Sequence, residues 1–408
     1  MAKIVNLTRV KQTWDGITLH PGIETKVSDG LAAKLYGHPD YQVTFGTVKP
    51  LRDEQGWHVL WKSPFSVSDG YAVAGEHTLA ALMGQGVDVL AQSCWFKHPE
   101  GLNRETVEKV DPIISKDAVG YQVGIMLAVP RYFDELPTPY RIGWTMWETT
   151  DPIVQGHPDW PELMSKINRL WVPTKWQEPV FGKFFKGPIQ TVPLAINPRY
   201  AFVARPMRET FTVVAWGVMT DRKSPVETVD VFKRAFPRDK YPHCRLRIKT
   251  KLNIFGDPSR RDPKFIKDDR VEVYDGVWQV EDMIGFLYDA DCALILPRGE
   301  GFGMPAREAM ATGLPTILAN HSGHIEVCDA RYNWPIETHH TDRSSMGGDW
   351  WLPNWEQAAD VLRWVHDNRE ASLVQAKAGA EWFEREWGQT AVGRKIVEAL
   401  GEMERSGL

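Results

Sequence analysis

Pro297-Arg298-Gly299-Glu300-Gly301-Phe302-Gly303-Met304-Pro305-Ala306-Arg307-Glu308-Ala309-Met310-Ala311-Thr312-Gly313-Leu314-Pro315 is the stretch that decides the reading of this chain. It follows the apolar run Cys292–Leu296, whose length and composition fit a strand buried on both faces, as in a parallel sheet. Gly299, Gly301 and Gly303 let the backbone bend and approach a ligand closely. Pro305 suits the first position of a helix and Gly313 its left-handed end, so the spacing predicts a helix over 305–312. A strand, loop and helix in this order aim helix-terminal N–H groups into the crevice at the carboxyl end of an open sheet. That crevice is a site for an anion or for sugar hydroxyls. Glu300 in the loop and Glu308 in the helix can each accept paired hydrogen bonds from vicinal hydroxyls. For Glu308 there is also a purely structural alternative, complementing the helix dipole.

Working outward, strands and helices alternate on both sides of this stretch, which implies βαβ units and a parallel sheet. One cycle runs from Trp57: a strand to Trp61, a polar turn Ser63–Gly70, a helix Tyr71–Met83, then strand-like runs at Val87–Leu90, Val119–Leu127, Tyr140–Trp144, Leu170–Val172 and Ile189–Val192. A second cycle runs from Phe211–Trp216 through a helix at Val226–Ala235, strands at Arg245–Lys249 and Val271–Val273, a helix at Val280–Asp289 and the strand Cys292–Leu296. From Trp355 onward the pattern is helical, ending in Thr390–Glu402. Residues 1–50 stand apart as a small α+β unit, with strands at Ile17–Leu19 and Glu24–Val27, a turn at Pro21-Gly22, a short helix at Leu31–Tyr36 and a strand at Tyr41–Phe45.

Composition narrows the class. The chain has 408 residues, 43% hydrophobic and 25% charged, which excludes a disordered chain and a fibre and fits two or three globular domains. The net charge of −5 excludes a whole-chain basic field of the kind that drives non-specific nucleic-acid binding. Cys94, Cys244, Cys292 and Cys328 have neither zinc-finger nor disulfide spacing, which suits a reducing compartment. The first residues carry no apolar signal-like core, and no apolar run approaches the length of a membrane span, so the expected location is the cytoplasm. The 18 tryptophans are expected mostly to pack in the core.

Glu300 and Glu308 have seven residues between them. With Gly301-Phe302-Gly303-Met304-Pro305 inside the pair and Ala309-Met310-Ala311-Thr312-Gly313-Leu314-Pro315 after it, the segment resembles the E-x7-E motif of retaining GT-B glycosyltransferases of the family 4 kind. Ser66–Ala72, Arg141–Glu148, Leu170–Lys175, Val192–Asn197 and Gly217–Lys223 resemble further family segments in the same order. The resemblance spans roughly 55–405. It implies an α/β GT-B architecture of two Rossmann-like domains facing across a cleft, with the small N-terminal appendage outside it. The implied boundaries are 1–50 for the appendage, 51–197 for the acceptor domain and 198–387 for the donor domain. The C-terminal helix, about 388–408, is expected to return to the first domain.

The resemblance also implies roles. Glu308 would accept from the ribose hydroxyls of a nucleotide, and Glu300 would hold a donor-sugar hydroxyl. The amides of Gly301, Phe302, Gly303 and Met304 would line the sugar and diphosphate. Arg222 and Lys223, after Gly217, would bind the diphosphate and stabilise the leaving charge. The family usually has Lys-Gly at this point, whereas this chain has Lys223-Ser224. Gly70 would let its loop close over the site. Glu148 would approach the acceptor or the sugar. Ser322 and Gly323 would donate to the diphosphate.

The implied activity is transfer of a sugar (a hexosyl or pentosyl group) from a nucleoside-diphosphate sugar to an acceptor hydroxyl, with retention. No metal or other cofactor is expected. Asp289-Ala290-Asp291 matches a manganese-binding pattern of another glycosyltransferase fold, but here it precedes the strand. The acceptor stays open: a carbohydrate, a small molecule, or modified DNA as in phage enzymes that glycosylate hydroxymethylated pyrimidines. The basic run from Lys233 through Arg238, Arg245, Arg247, Lys249 and Lys251 to Arg260 and Arg261 motivates the last of these. A non-catalytic sugar-nucleotide binder and a two-carboxylate glycoside hydrolase are the remaining alternatives.

Overall fold

The computed structural model describes residues 2–28, 31–32, 35, 38–44, 49–65, 70–94, 120–153, 157–251 and 268–407. Ser66–Asp69, Val119, Arg260 and Arg261 lie outside the described residues.

The N-terminal unit holds β1 (Ala2–Asn6), β2 (Gln12–Trp14), β3 (Ile17–Leu19), β4 (Glu24–Val27) and β5 (Tyr41–Thr44). Its centre is β1, antiparallel to both β4 and β5. The hairpin β2–β3 turns through Asp15 and Gly16, both at positive φ, the conformation that matches strand twist in a two-residue turn. Pro21-Gly22 joins β3 to β4, but these two strands pair with other partners. Ile4, Leu19, Val27, Leu31, Leu35 and Tyr41 bury together as a separate small core.

The first large domain contains β6 (Arg52–Asp53), β7 (Gly56–Ser63), β8 (Asp88–Ser93), β9 (Val123–Leu127), β10 (Tyr140–Trp144), β11 (Arg169–Val172) and β12 (Ile189–Thr191). Its parallel order is β12-β11-β10-β9-β7-β8, with β6 folded back antiparallel on β7. Helices α1 (Gly70–Met83), α2 (Trp160–Met164) and α3 (Gln177–Gly182) accompany it. Trp61, Trp144 and Trp171 pack edge-to-face inside the sheet layer, with ring centroids 6.0 and 5.1 Å apart. These tryptophans are core, as their alternation with apolar strand residues suggests.

The second large domain contains β13 (Phe211–Trp216), β14 (Cys244–Thr250), β15 (Val271–Asp275), β16 (Cys292–Ile295), β17 (Thr316–Ala319) and β18 (Trp334–Ile336). Helices α4 (Pro225–Ala235), α5 (Val280–Tyr288) and α6 (Met304–Ala311) connect its strands. The parallel order β15-β14-β13-β16-β17-β18 reverses direction between β13 and β16. Such a reversal parts the connecting segments and opens a crevice beyond the carboxyl ends of those two strands.

Two additions tie the domains together. A hairpin, β19 (Thr338–Arg343) and β20 (Asp349–Pro353), leaves the second domain and meets the first. Thr150 N–H donates to the Asp349 carbonyl, and the Asp349 N–H donates to Thr150 Oγ1 at 2.9 Å. Helices α7 (Trp355–Asp367), α8 (Arg369–Trp387) and α9 (Gln389–Arg405) follow. The last of them lies against α1 of the first domain, so closely that a Cβ on Gly393 would stand 2.3 Å from the Ala81 carbonyl. Gln190 of β12 donates to Glu402 at 2.7 Å. No helix among the described residues is long and apolar enough to cross a membrane.

Candidate functional site

The loop 296–303 leaves the carboxyl end of β16 and enters α6 through Gly303, whose φ of +80° is open to glycine but strained for other residues. The same glycine is needed for space, because a Cβ there would stand 2.3 Å from the His324 ring. Pro305 lies in the first turn and Gly313, at φ +68°, ends the helix. The first-turn amides have no acceptor within the helix. They open on a cavity of about 460 Å³ between the two large domains.

Gly70, Glu148, Gly217, Arg222, Lys223, Glu300, Gly301, Phe302, Gly303, Met304 and Glu308 all line this cavity. Lys223 Nζ bonds Glu300 Oε1, and Arg222 donates to the same oxygen at 3.1 Å and to the Gly299 carbonyl at 2.7 Å. The other arm of Arg222 lies 3.6 Å from the Glu148 carboxylate, reaching across from the first domain. Burial alone would raise the Glu300 carboxyl, but the Lys223 and Arg222 charges outweigh it and hold it down at about 2. Gly217, at φ +133°, passes under the Lys223 side chain, where a Cβ would press on Cε at 3.4 Å.

Glu308 has the opposite environment. It sits in the first turns of α6, and the Trp216 indole N–H donates to its Oε2 at 2.9 Å. Burial pushes its carboxyl up to about 7, and the single indole bond and the more distant Lys223 charge only partly oppose this. The cavity thus pairs a carboxylate that two cations hold ionised with one that burial pushes up to about 7.

Ser322 and Gly323 are not in the cavity, which corrects the expectation that they donate to a diphosphate. They stand behind the loop and hold it. The Glu300 N–H donates to Ser322 Oγ at 3.0 Å, and Ser322 Oγ is 2.9 Å from His321 Nδ1. His321 Nε2 is 2.8 Å from the Pro297 carbonyl, and the Gly323 N–H is spent on the Glu300 carbonyl. Burial pushes His321 down to about 4, so the ring is neutral; with its N–H on Pro297 it accepts the serine proton. This chain of bonds occupies the Ser322 hydroxyl and the Gly323 N–H.

Sequence inspection gives no site role to Trp216, Tyr200, Asn197, His77, Lys249 or Trp278, which also line the cavity. Lys249 is the last residue but one of β14, with its ammonium on the Gly276 and Thr250 carbonyls and 4.9 Å above the Trp278 ring. In the sequence it stands out only as part of the basic run. Elsewhere in that run Arg234, Arg238 and Arg247 pair with Glu356, Asp269 and Glu272. These pairs neutralise three cations of the positive stripe that suggested nucleic acid.

Asp289 and Asp291 lie at the opposite, amino-terminal edge of the sheet. Asp291 Oδ2 accepts from the Thr212 N–H at 2.7 Å and joins β13 to β16. A motif that precedes its strand is placed away from the crevice, so these residues have no part in the cavity.

Residues 210–341 match the family described as Glycosyl transferases group 1. No curated protein matches the chain. Among solved structures, Anabaena HepE in complex with UDP-glucose superposes with a TM-score of 0.65 at 10% identity, covering 85% of this chain and 99% of its own. Sucrose-phosphate synthase from Thermosynechococcus elongatus gives 0.62 at 14% identity, over 86% and 99%. A glycosyltransferase from Rickettsia africae gives 0.61 at 12%, over 85% and 98%. The chain has the GT-B fold of these glycosyltransferases, and its second domain carries the match to the group 1 glycosyl transferases.

Proposed function

We propose that the chain is a glycosyltransferase that takes a uridine-diphosphate sugar as donor and transfers the sugar, with retention and with no metal in the transfer step, to an acceptor hydroxyl. The observation that carries this reading is the convergence of Lys223, Arg222, Glu300 and the amino end of α6 on one cavity at the sheet reversal. Uridine is chosen because the HepE structures hold UDP and UDP-glucose.

Loss of the nucleoside diphosphate builds negative charge on the phosphate oxygens. Lys223, Arg222 and the first-turn amides of α6 are preplaced to receive it, which is more effective than recruiting charge from solvent. Glu300 keeps both cations in position before the donor arrives and then accepts a hydroxyl of the sugar. Glu308 accepts the ribose hydroxyls beside Trp216. Attack by the acceptor on the face that the diphosphate leaves, with the leaving phosphate taking the acceptor proton, gives retention without a protein nucleophile. The acceptor enters from the first-domain side, past Glu148.

The test is a thermal melt of the full chain with UDP, GDP, ADP or CMP in the presence of a chelator. At about 100 times its dissociation constant a nucleotide adds roughly 2.7 kcal/mol, or about 3 °C for a chain of this length. UDP is expected to shift the wild type and not the Glu308→Ala variant. No shift with any of the four overturns the donor assignment. The anomeric configuration of a product sugar, read by NMR, tests retention.

A further inference from the structure

We propose that His243, Cys244 and His366 form a binding site for a thiophilic divalent cation of the zinc class, at the edge of the second sheet opposite the cleft. Among the described residues these three ligand atoms lie within 4.8 Å of one another. They come from the residue before β14, the first residue of β14 and the last turn of α7. The proposal is independent of the glycosyltransferase reading.

Three observations carry it. First, His243 Nε2 and His366 Nε2 are 3.3 Å apart. A tetrahedral ion with metal–nitrogen bonds of about 2.0–2.1 Å separates two nitrogen ligands by about 3.3–3.4 Å, so the imidazoles already stand at the edge length of such a site. Second, His366 Nδ1 lies 2.7 Å from Asp367 Oδ1. A carboxylate there holds the proton on Nδ1 and leaves the Nε2 lone pair for a metal, the arrangement that supports histidine ligands in zinc sites. Third, the His366 ring is wedged edge-on against Phe211, Phe236 and Tyr241, with centroids 5.0, 5.3 and 5.5 Å away. That packing fixes its orientation, while its side chain keeps 14% exposure to solvent.

Two imidazoles and a thiolate form a borderline-soft donor set that suits zinc and cobalt over magnesium or calcium. Binding makes one metal–sulfur and two metal–nitrogen bonds and releases the Cys244 thiol proton to solvent, with no change of oxidation state. The ion would tie the start of β14 to the end of α7, which are far apart in sequence, and so brace the second domain.

The experiment uses the untagged full chain, freed of metal, titrated with cobalt(II) and then zinc(II). One equivalent of cobalt is expected to give a sulfur-to-cobalt charge-transfer band in the near ultraviolet with visible tetrahedral bands, and one equivalent of zinc to bleach both. Zinc is also expected to raise the unfolding midpoint by several degrees. Cys244→Ser should remove the charge-transfer band, and His366→Ala should remove stoichiometric binding. The UDP-induced thermal shift of each variant, or its far-ultraviolet dichroism, reports whether it is folded. Absence of the thiolate band in the wild-type chain overturns the proposal whatever the variants do. So does a band that survives Cys244→Ser, since it would then belong to another cysteine. Two histidines held only by an N–H···N hydrogen bond would give that first result.

Discussion

Glu300 and Glu308 belong to one loop and helix, yet their protons behave oppositely. Glu300 is surrounded by two cations and stays ionised, whereas Glu308 has one indole donor and is pushed up to about 7 by burial. A raised carboxyl stabilises the fold fully below its ordinary value near 4.5. It loses that contribution as pH climbs from about 4.5 through about 7, because the unfolded chain ionises its carboxyl there while the buried one keeps its proton. Glu308→Gln keeps the Trp216 bond and removes the titration. The wild type should therefore lose on the order of 2–3 kcal/mol relative to this variant between pH 5 and pH 8, measured by denaturant unfolding. Nucleotide binding should reverse the preference, since ribose hydroxyls favour the ionised form. UDP affinity is expected to rise with pH up to about 7 and then level, with proton release seen by calorimetry at pH 6. If the proposed donor chemistry holds, Lys223→Ala removes a cation that would face the leaving diphosphate and should lower kcat by roughly 10²–10³-fold in a donor-turnover assay.

At the scale of the element, the turn before α4 is instructive. Ser224 occupies the position where the resembled family has glycine, and it adopts φ +52°, ψ +50°. A left-handed conformation costs a non-glycine residue roughly 1–2 kcal/mol, and Ser224 Oγ is buried with no hydrogen-bond partner. Ser224→Gly should therefore raise stability by about 1 kcal/mol net of the added freedom of the unfolded chain, seen as a higher denaturant midpoint. The reverse holds at the mouth of α6. Gly303→Ala combines a positive φ with a clash on His324, and should cost several kcal/mol and abolish nucleotide-induced thermal shifts. The boundaries of α6 were legible in the sequence because proline and glycine act through their own backbone dihedrals. The hairpin β19–β20 was not, since its residues carry mixed polarity and take their place by meeting Thr150 of the other domain.

At the scale of the whole molecule, α9 begins after the second domain and packs on the first. Val392, Ile396, Leu400 and Met403 bury in a core cluster that residues of both large domains share, and Gly393 admits the α1 backbone at close range. Gly393→Leu should overpack this contact and cost about 1–3 kcal/mol, with the loss expected in global unfolding of the chain. Cleft geometry depends on the same contact, because α9 and the β19–β20 hairpin both run from the second domain onto the first.

The sequence alone determined what local chemistry determines: the strand–loop–helix of 292–312, the alternation that makes two parallel sheets, and the two carboxylates facing a crevice. These rest on dihedral preference and on periodicity, which act over a few residues. Only the tertiary structure decided how those groups are charged and what each one touches. Lys223 and Arg222 reach Glu300 across more than seventy residues, and Trp216 reaches Glu308 across more than ninety. Ser322 is turned behind the loop, and His366 is brought to His243 from a distant helix. Burial and pairing set a proton's affinity, and both are properties of neighbours that the chain brings together only when it folds.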